Sequence, residues 1–409
     1  MQLDALPVGT AQSHTCVERA EGSPSSVAYV VHTFHLGGLE RCVARLVNHL
    51  DPLRFRPMII CLNHSGDAAN WIERRDVPIV SLRKAAGNDP RVVWRLAGEL
   101  RRQRIDLVHS HNWGTLLETV LARKLARVPV HVHAEHGMEL ADLEQRGWRS
   151  RARSRVTHWA LKQADAVVAV ADSVRQRIEQ RCGYPADQIA VIPNGVERPP
   201  GNASTAETDR LRASLGIGKD AFVLGTIGRL AAVKAIDMAI DVVAMLAQQD
   251  RDVHLIVVGE GPEESFLLRH ASSRGVAQRV HVVGPTHNVG PWLDVFNIYV
   301  NSSLSEGMNL AILEAMAAGL PSVVTDVGAN ALLVGGDDAC GQVVPVGDRL
   351  AMVSAIASLI NDTERLRRMS HNALRRHGSL YATEVMVNNY LSIYDSAITR
   401  VGHNGKDHG

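Results

Sequence analysis

Short apolar runs recur along the chain, and stretches with helical spacing of their apolar residues separate them. Six runs in the first half have the length of strands, at residues 27–32, 58–62, 107–109, 130–134, 166–170 and 190–192. Strands that alternate with helices are typical of a parallel sheet covered on both faces. We therefore predict a doubly wound α/β domain over residues 27–195.

The same pattern restarts after a polar stretch rich in Pro and Gly, residues 194 to about 208. Five further strands are predicted at residues 222–226, 253–258, 280–283, 298–301 and 322–325. They predict a second Rossmann-like, doubly wound domain over residues 196–383. Ligands of such sheets bind outside the carboxyl ends of the strands, so two facing domains predict one interdomain cleft.

The last segment, residues 384–401, is predicted to be a helix. Its apolar residues fit one helical face, and they are Val385, Val387, Tyr390, Ile393 and Ala397. No strand follows it. We expect this helix to pack back across the domain boundary.

Composition is that of an ordinary globular protein, with 409 residues, 45% apolar and 21% charged. The five cysteines are scattered without zinc-binding spacing, which favours buried thiols in a reducing compartment.

Residues 1–26 carry no apolar segment and are expected to be a disordered leader. No apolar run reaches the roughly 18 to 20 residues of a membrane span, so we expect a cytoplasmic protein.

Charge is distributed unevenly. Residues 25–195 contain 25 Lys and Arg against 17 Asp and Glu, whereas the remainder contains 19 against 26. A basic half indicates an anionic partner, either nucleic acid or an anionic lipid surface. Nucleic acid is the weaker candidate, because aromatic residues are only 4% of the chain and no base-stacking platform is evident.

Residues 146–162 concentrate this charge, with six cations beside Trp148 and Trp159. Basic residues with tryptophans suit the interface of an anionic membrane. A solvated helix whose tryptophans pack on the domain explains the pattern equally well. Both interpretations stay open at this point.

Two motifs at predicted strand ends suit phosphate. Gly37 and Gly38 stand between the first strand and an amphipathic helix, where the backbone either meets a phosphate or makes a tight turn. Arg229 and Lys234 follow the first strand of the second domain. They could clamp a diphosphate, although an isolated pair of cations is more often a solvated surface pair.

The strongest signal is the pair of carboxylates Glu306 and Glu314, eight residues apart. Glu306 stands beside Gly307 in a loop, and Glu314 falls in the opening turns of a helix, near N–H groups that suit a phosphate. Both can project into one cleft. The Asp-x-Asp motif at residues 250–252 precedes a strand, so we interpret it as a turn, and no metal site is predicted.

With these motifs the chain resembles a family 4 glycosyltransferase of the GT-B fold over roughly residues 27–400. The matching pieces are Gly37-Gly38-x-Glu40, Glu135-His136-Gly137, Ile192-Pro193-Asn194-Gly195-Val196, Gly228-Arg229-Leu230 with Lys234, Gly259-Glu260-Gly261-Pro262, and Glu306 to Glu314 with the following Ala315-Met316-Ala317-Ala318-Gly319-Leu320-Pro321. Within the family it is most similar to bacterial enzymes of exopolysaccharide and cell-envelope glycan assembly, notably those associated with the PEP-CTERM/exosortase system.

The resemblance implies a retaining, metal-independent transfer from a nucleotide-sugar to a glycan or lipid-linked acceptor bound by the first domain. Arg229 and Lys234 would hold the diphosphate, and Glu314 the ribose. Glu306 would bind a hydroxyl of the sugar, and His136 would contact that sugar near its reacting carbon. The other nucleotide-binding residues that it implies are Gly37, Gly38, Gly261, Asn309 and Leu310. No cofactor beyond the donor is expected, and a lipid-linked acceptor implies a peripheral position on the inner face of the cytoplasmic membrane.

Two departures from the family pattern bear on function. Leu332 stands where relatives usually carry a glutamate, and Met308, Asn309 and Ala311 replace an aromatic residue, a glycine and a proline. Two alternatives are therefore kept, a GT-B nucleotide-sugar epimerase and a catalytically silent partner in glycan assembly. Together, Glu306, Glu314, Arg229, Lys234 and His136 favour transfer over both.

Overall fold

The computed structural model describes residues 23–85, 87, 89–137, 148–198, 205–286 and 288–404. The chain forms two compact units. The first contains the residues up to Gly195 and those from Thr383 onward, and the second is Val196–Ala382. Within the described residues, no helix combines the length and the apolar character that crossing a membrane requires.

A parallel sheet forms the centre of the first unit. Its strands are β1 (Ser25–Val31), β2 (Phe55–Cys61), β3 (Ile79–Ser81), β4 (Leu107–His111), β5 (Val130–Glu135), β6 (Ala166–Ala169) and β7 (Ile189–Val191). They are ordered β3-β2-β1-β4-β5-β6-β7. The described α-helices between these strands are α1 (Gly38–His49), α2 (Arg91–Arg102), α3 (Trp113–Ala126), α4 (Trp148–Leu161) and α5 (Asp172–Cys182).

The second unit repeats this plan. Its strands are β8 (Phe222–Ile227), β9 (Val253–Val258), β10 (Val280–Val282), β11 (Ile298–Asn301), β12 (Ser322–Thr325) and β13 (Gly341–Val344), in the order β10-β9-β8-β11-β12-β13. Its described helices are α6 (Thr205–Ser214), α7 (Ile236–Ala247), α8 (Glu264–Ser273), α9 (Gly290–Val295), α10 (Leu310–Ala317), α11 (Asn330–Val334), α12 (Arg349–Asn361) and α13 (Thr363–Arg376). The predicted pair of doubly wound parallel sheets is confirmed.

Two short strands were not predicted. The strand β3 has three residues, and β13 begins with Gly341 and Gln342, so neither presents an apolar run of strand length. The leader, predicted to be disordered over residues 1–26, lies outside the described residues as far as residue 22. Its last two residues, Ser25 and Ser26, instead open β1, where their N–H groups donate to Arg54 O at 2.8 Å and to Asp106 Oδ2 at 2.7 Å.

Alternate residues of β1 face two different cores. Val27, Tyr29 and Val31 pack with α1, whereas Ala28 and Val30 pack with residues of α2. Burial on both faces explains why these strands appear in the sequence as continuous apolar runs rather than alternating ones. In the second unit, one core joins residues of the strands to α7 and α12.

The last helix, α14 (Thr383–Asn404), belongs to the first unit. Its buried residues include Met386, Val387, Tyr390, Tyr394 and Ala397, so the buried face is centred slightly away from the predicted one. The Tyr394 hydroxyl lies 3.1 Å from that of Tyr29 and 2.7 Å from His109 Nδ1. The helix therefore completes the core on one face of the first sheet.

Histidines occupy the interior of this sheet. On β4 and β5, the Ser110 hydroxyl lies 2.8 Å from both His131 Nε2 and His133 Nδ1. Burial lowers the pKa of His109, His111 and His131 well below 6.5. It lowers the pKa of His136, just after β5, to about 4. These side chains are neutral in the folded protein near pH 7.

We expect the free energy of unfolding to decrease as the pH is lowered below about 6.5. The unfolded chain takes up protons on these histidines from about pH 6.5 downward, while the folded chain does not until its own lower pKa values are reached. Each of the four should cost about 1 kcal/mol of unfolding free energy between pH 7 and pH 5.5. Urea unfolding followed by circular dichroism at several pH values measures this. His131→Gln should reduce the dependence of the unfolding free energy on pH by the contribution of one histidine. The control is His371→Gln, a change at an exposed position. If the two variants show the same dependence on pH, the explanation is wrong.

Candidate active site

The loops after β8 and β9 meet backbone to backbone. Leu230 N–H donates to Glu260 O at 2.8 Å, and Gly228 N–H donates to Val258 O at 2.9 Å. A Cβ atom at Gly261 would collide with the Leu230 carbonyl, and Gly261 has a φ of +158°. Only glycine permits this approach. The Arg229 side chain, next to Leu230, is exposed.

Lys234 lies beside Glu306. The Lys234 ammonium donates to Glu306 Oε1 at 2.7 Å, and both side chains are partly buried. Three further donors reach the same oxygen: the Ser303 hydroxyl at 2.6 Å, Asn309 Nδ2 at 3.0 Å and, more distantly, Asn301 Nδ2 at 3.4 Å. One carboxylate oxygen is thus filled by protein donors, and Glu306 Oε2 receives none of them.

Asn309 also begins the helix that carries Glu314. Its Oδ1 accepts from Ala311 N–H at 2.9 Å, which caps α10. Leu310 is the first residue of that helix, and Glu314 lies one turn further on and is buried. One asparagine therefore joins the cap of α10 to the carboxylate of Glu306.

The loop after β12 packs against the Glu306 loop. Ala329 N–H donates to Gly307 O at 3.0 Å, and Gly328, with a φ of +56°, leaves no space for a Cβ against the Glu306 carbonyl. The short helix α11 follows. On it, Leu332, which the family resemblance places at a glutamate position, is 56% exposed.

In the first unit, Gly37 precedes α1 with a φ of −164°, an extended conformation that any residue adopts. A tight turn with positive φ is therefore not the reason for this glycine. A Cβ at Gly37 would meet the Glu40 carboxylate, which lies over the start of α1. Burial raises the pKa of the Glu40 carboxyl above its usual range. Gly38 is the first residue of the helix.

His136 follows β5 and is held by two consecutive residues at the end of β4. Its N–H donates to Asn112 Oδ1 at 2.8 Å, and its Nε2 lies 3.0 Å from His111 Nδ1. Asn112 has a φ of +59°, which is rare for a residue with a side chain. Since β4 lies between β1 and β5, Gly37 and His136 belong to separate strand ends of the sheet.

The structure thus brings together Lys234, Glu306 and Asn309. At the same edge of the sheet it places Arg229 and Gly261 in loops and Glu314 in the helix α10. Ser303 and Asn112 were not identified from the sequence. Ser303 stands three residues before Glu306, a spacing that could have indicated contact, whereas Asn112 carries no local signal.

The Asp-x-Asp motif lies at the opposite end of the sheet, as expected. Asp250 has a φ of +55°, and Asp252 pairs with Arg279 at 2.8 Å. Within the part of the chain that the structure describes, no three His, Cys, Asp or Glu side chains come together in a way that could hold a metal ion.

Two family models match the chain, "Glycosyltransferase Family 4" over residues 36–198 and "Glycosyl transferases group 1" over residues 221–362. The chain is 30% identical to the lipopolysaccharide core biosynthesis mannosyltransferase of Rhizobium meliloti, over 70% of this chain and 78% of that protein. It is 24% identical to the UDP-Gal:alpha-D-GlcNAc-diphosphoundecaprenol alpha-1,3-galactosyltransferase of Escherichia coli, over 86% and 91% of the two chains.

Among solved structures, Anabaena HepE in complex with UDP is similar in fold, with a TM-score of 0.79 and 21% identity over 91% of this chain and 100% of that one. The GT-B fold is confirmed, and the epimerase alternative finds no support in these relatives, which are named as transferases. The chain therefore belongs to glycosyltransferase family 4, and it is a glycosyltransferase.

Proposed function

We propose that this enzyme transfers a sugar, with retention and without a metal ion, from a nucleotide diphosphate donor to a glycan or lipid-linked acceptor in the assembly of exopolysaccharide or cell-envelope glycan. The observation that carries the proposal is the contact of Lys234 with Glu306 at the carboxyl edge of the second sheet. A cation and a carboxylate side by side match the two halves of such a donor, a diphosphate and a sugar.

The chemistry divides between the two side chains. An ammonium has three N–H donors, and Lys234 uses one on Glu306, which leaves donors for phosphate oxygens. Glu306 Oε2 can accept from a hydroxyl of the sugar. As the bond to the sugar breaks, negative charge builds on the diphosphate, and Lys234 with the exposed Arg229 would stabilise it without a metal.

A uridine nucleotide is the first donor to test. HepE is described in complex with UDP, and the galactosyltransferase of Escherichia coli is named for UDP-Gal. The names of two relatives also support the acceptor class. The Rhizobium meliloti mannosyltransferase is named for lipopolysaccharide core biosynthesis, and the Escherichia coli enzyme for a diphosphoundecaprenol-linked sugar. The association with a PEP-CTERM system stays a prediction.

The catalytically silent partner is the second candidate, and Leu332 is the observation that favours it. An exposed apolar side chain at this position cannot accept a hydrogen bond from a ligand as a glutamate would. The intact cluster around Glu306 favours activity. Binding of a nucleotide without transfer or hydrolysis of any sugar conjugate would identify the silent form.

We also propose that α4 lies on an anionic membrane. One outward stripe of this helix carries Trp148 (75% exposed), Arg151, Arg155, Val156 (40% exposed) and Trp159 (42% exposed). The opposite side includes Ser150, Arg153, Ser154 and Thr157, which are less exposed or line a cleft against the sheet. A helix with its tryptophans outward and its serines inward suits an interface on its outer face.

Nucleotide binding tests the donor site. Arg229→Ala, Lys234→Ala and Glu314→Ala should each weaken binding of UDP by about 1 to 3 kcal/mol, the cost of a lost charge-assisted hydrogen bond. Calorimetry of the purified protein with UDP, GDP and ADP, in the presence of a chelator, measures this. Lys219→Ala, an exposed cation of the same unit, is the control. Unchanged affinity in all three variants would refute the site.

Vesicle flotation tests the membrane surface. Wild-type protein should bind vesicles containing phosphatidylglycerol more strongly than pure phosphatidylcholine vesicles, and salt should weaken the binding. Arg151→Glu with Arg155→Glu should abolish the preference, since each cation contributes about 1 kcal/mol near such a surface. The same double change at the exposed Arg367 and Arg368 of α13 should not. Equal behaviour of the two double variants would contradict the proposal.

A further inference from the structure

A row of buried polar side chains leads from α11 to Glu306. It consists of Asn330 at the start of α11, Asn301 at the end of β11, and Ser303 two residues later. All three are at least 96% buried. The distances are 2.9 Å from Asn330 Nδ2 to Asn301 Oδ1, 3.0 Å from Asn301 Nδ2 to Ser303 Oγ, and 2.6 Å from Ser303 Oγ to Glu306 Oε1.

The direction of every bond in this row follows from its two ends. The Glu306 carboxylate, paired with Lys234, accepts only, so the Ser303 hydroxyl must donate to it. The Ser303 oxygen then accepts from the Asn301 amide NH₂. That turns Asn301 Oδ1 toward Asn330, whose NH₂ donates both to it and to the Thr325 carbonyl at 3.1 Å. Along this row, each residue therefore donates to the next one toward Glu306.

This arrangement places the Glu306 carboxylate. Ser303, Lys234 and Asn309 converge on Oε1, and the Asn301 amide approaches it at 3.4 Å. Chains of hydrogen bonds that run in one direction strengthen one another in a protein interior. The carboxylate is therefore held by one oxygen, and its other oxygen has a fixed position from which to accept a hydroxyl.

We propose that Asn330, Asn301 and Ser303 are positioning residues that act through Glu306 to set the affinity for the donor's sugar and not for its nucleotide. The inference rests on the proposed role of Glu306. It also connects two strand ends, because Asn330 heads the same short helix that carries Leu332. A change in the β12 loop can thereby alter sugar binding although Asn330 itself is fully buried.

The sugar increment tests this proposal. We define it as the ratio of the dissociation constant of a free nucleotide to that of its sugar conjugate, measured by calorimetry. The probes are UDP with UDP-glucose, UDP-galactose and UDP-N-acetylglucosamine, and GDP with GDP-mannose. The pair with the largest increment in the wild-type protein is carried forward.

Ser303→Ala should reduce the increment about tenfold, the loss typical of a hydrogen bond to a charged group. Asn330→Ala, whose side chain is two hydrogen bonds from Ser303 in this row, should reduce the increment about threefold. Affinity for the free nucleotide should stay within about twofold of wild type in both, since only Glu306 is displaced. Asn372→Ala is the matched control, because it removes a part-buried asparagine hydrogen bond of 3.1 Å elsewhere in the unit.

Glu306→Gln tests the role of Glu306 in sugar binding separately from the role of the residues that position it. If it leaves the increment unchanged, or if no conjugate binds better than its nucleotide in wild type, the role of Glu306 is wrong and the positioning proposal falls with it. If Glu306→Gln removes the increment but Ser303→Ala and Asn330→Ala do not reduce it, the proposed function stands and the positioning proposal is overturned. A merely structural role would lower the melting temperature and weaken nucleotide and conjugate equally.

Discussion

Pairing of parallel strands is the constraint on which the rest of this protein depends. Each interior strand must satisfy its backbone groups through two neighbours. Because helices cover such sheets, polar side chains are confined to the strand ends unless they find partners inside. In both units the loops that leave the carboxyl ends therefore carry the polar and ionic chemistry. Lys234, Glu306 and His136 all follow this rule.

Close packing between neighbouring loops then determines which side chains can meet. Gly261 against the Leu230 carbonyl and Gly328 against the Glu306 carbonyl are places where a Cβ has no room. These contacts bring the loops after β8, β9, β11 and β12 to one edge of the sheet. The Lys234–Glu306 pair depends on that convergence, because 72 residues separate the two in the chain.

The sequence predicted the parallel architecture and the principal charged residues because both leave strong local patterns. Apolar runs identify strands buried on two faces, and Glu306 with Glu314 stands out by its spacing. It did not predict Ser303, Asn301 and Asn330 as a unit, because small polar residues near strand ends are common and their partners lie up to 29 residues away. The same holds for Asn112, whose contact with His136 spans 24 residues. Only the pairing of β4 with β5 brings those two residues together.

The position of α14 in the first unit has a consequence for biosynthesis. Tyr390 and Tyr394 fill the core beside Tyr29 and His109, yet they are made only after the 187 residues of Val196–Ala382 have been added. At synthesis rates of about 5 to 20 residues per second, that interval lasts on the order of 10 to 40 s. Throughout it, an apolar face of the first sheet lacks its covering helix. Chaperones can bind that face until α14 emerges, and truncations that remove Tyr390 and Tyr394 should behave as folding defects of the first unit.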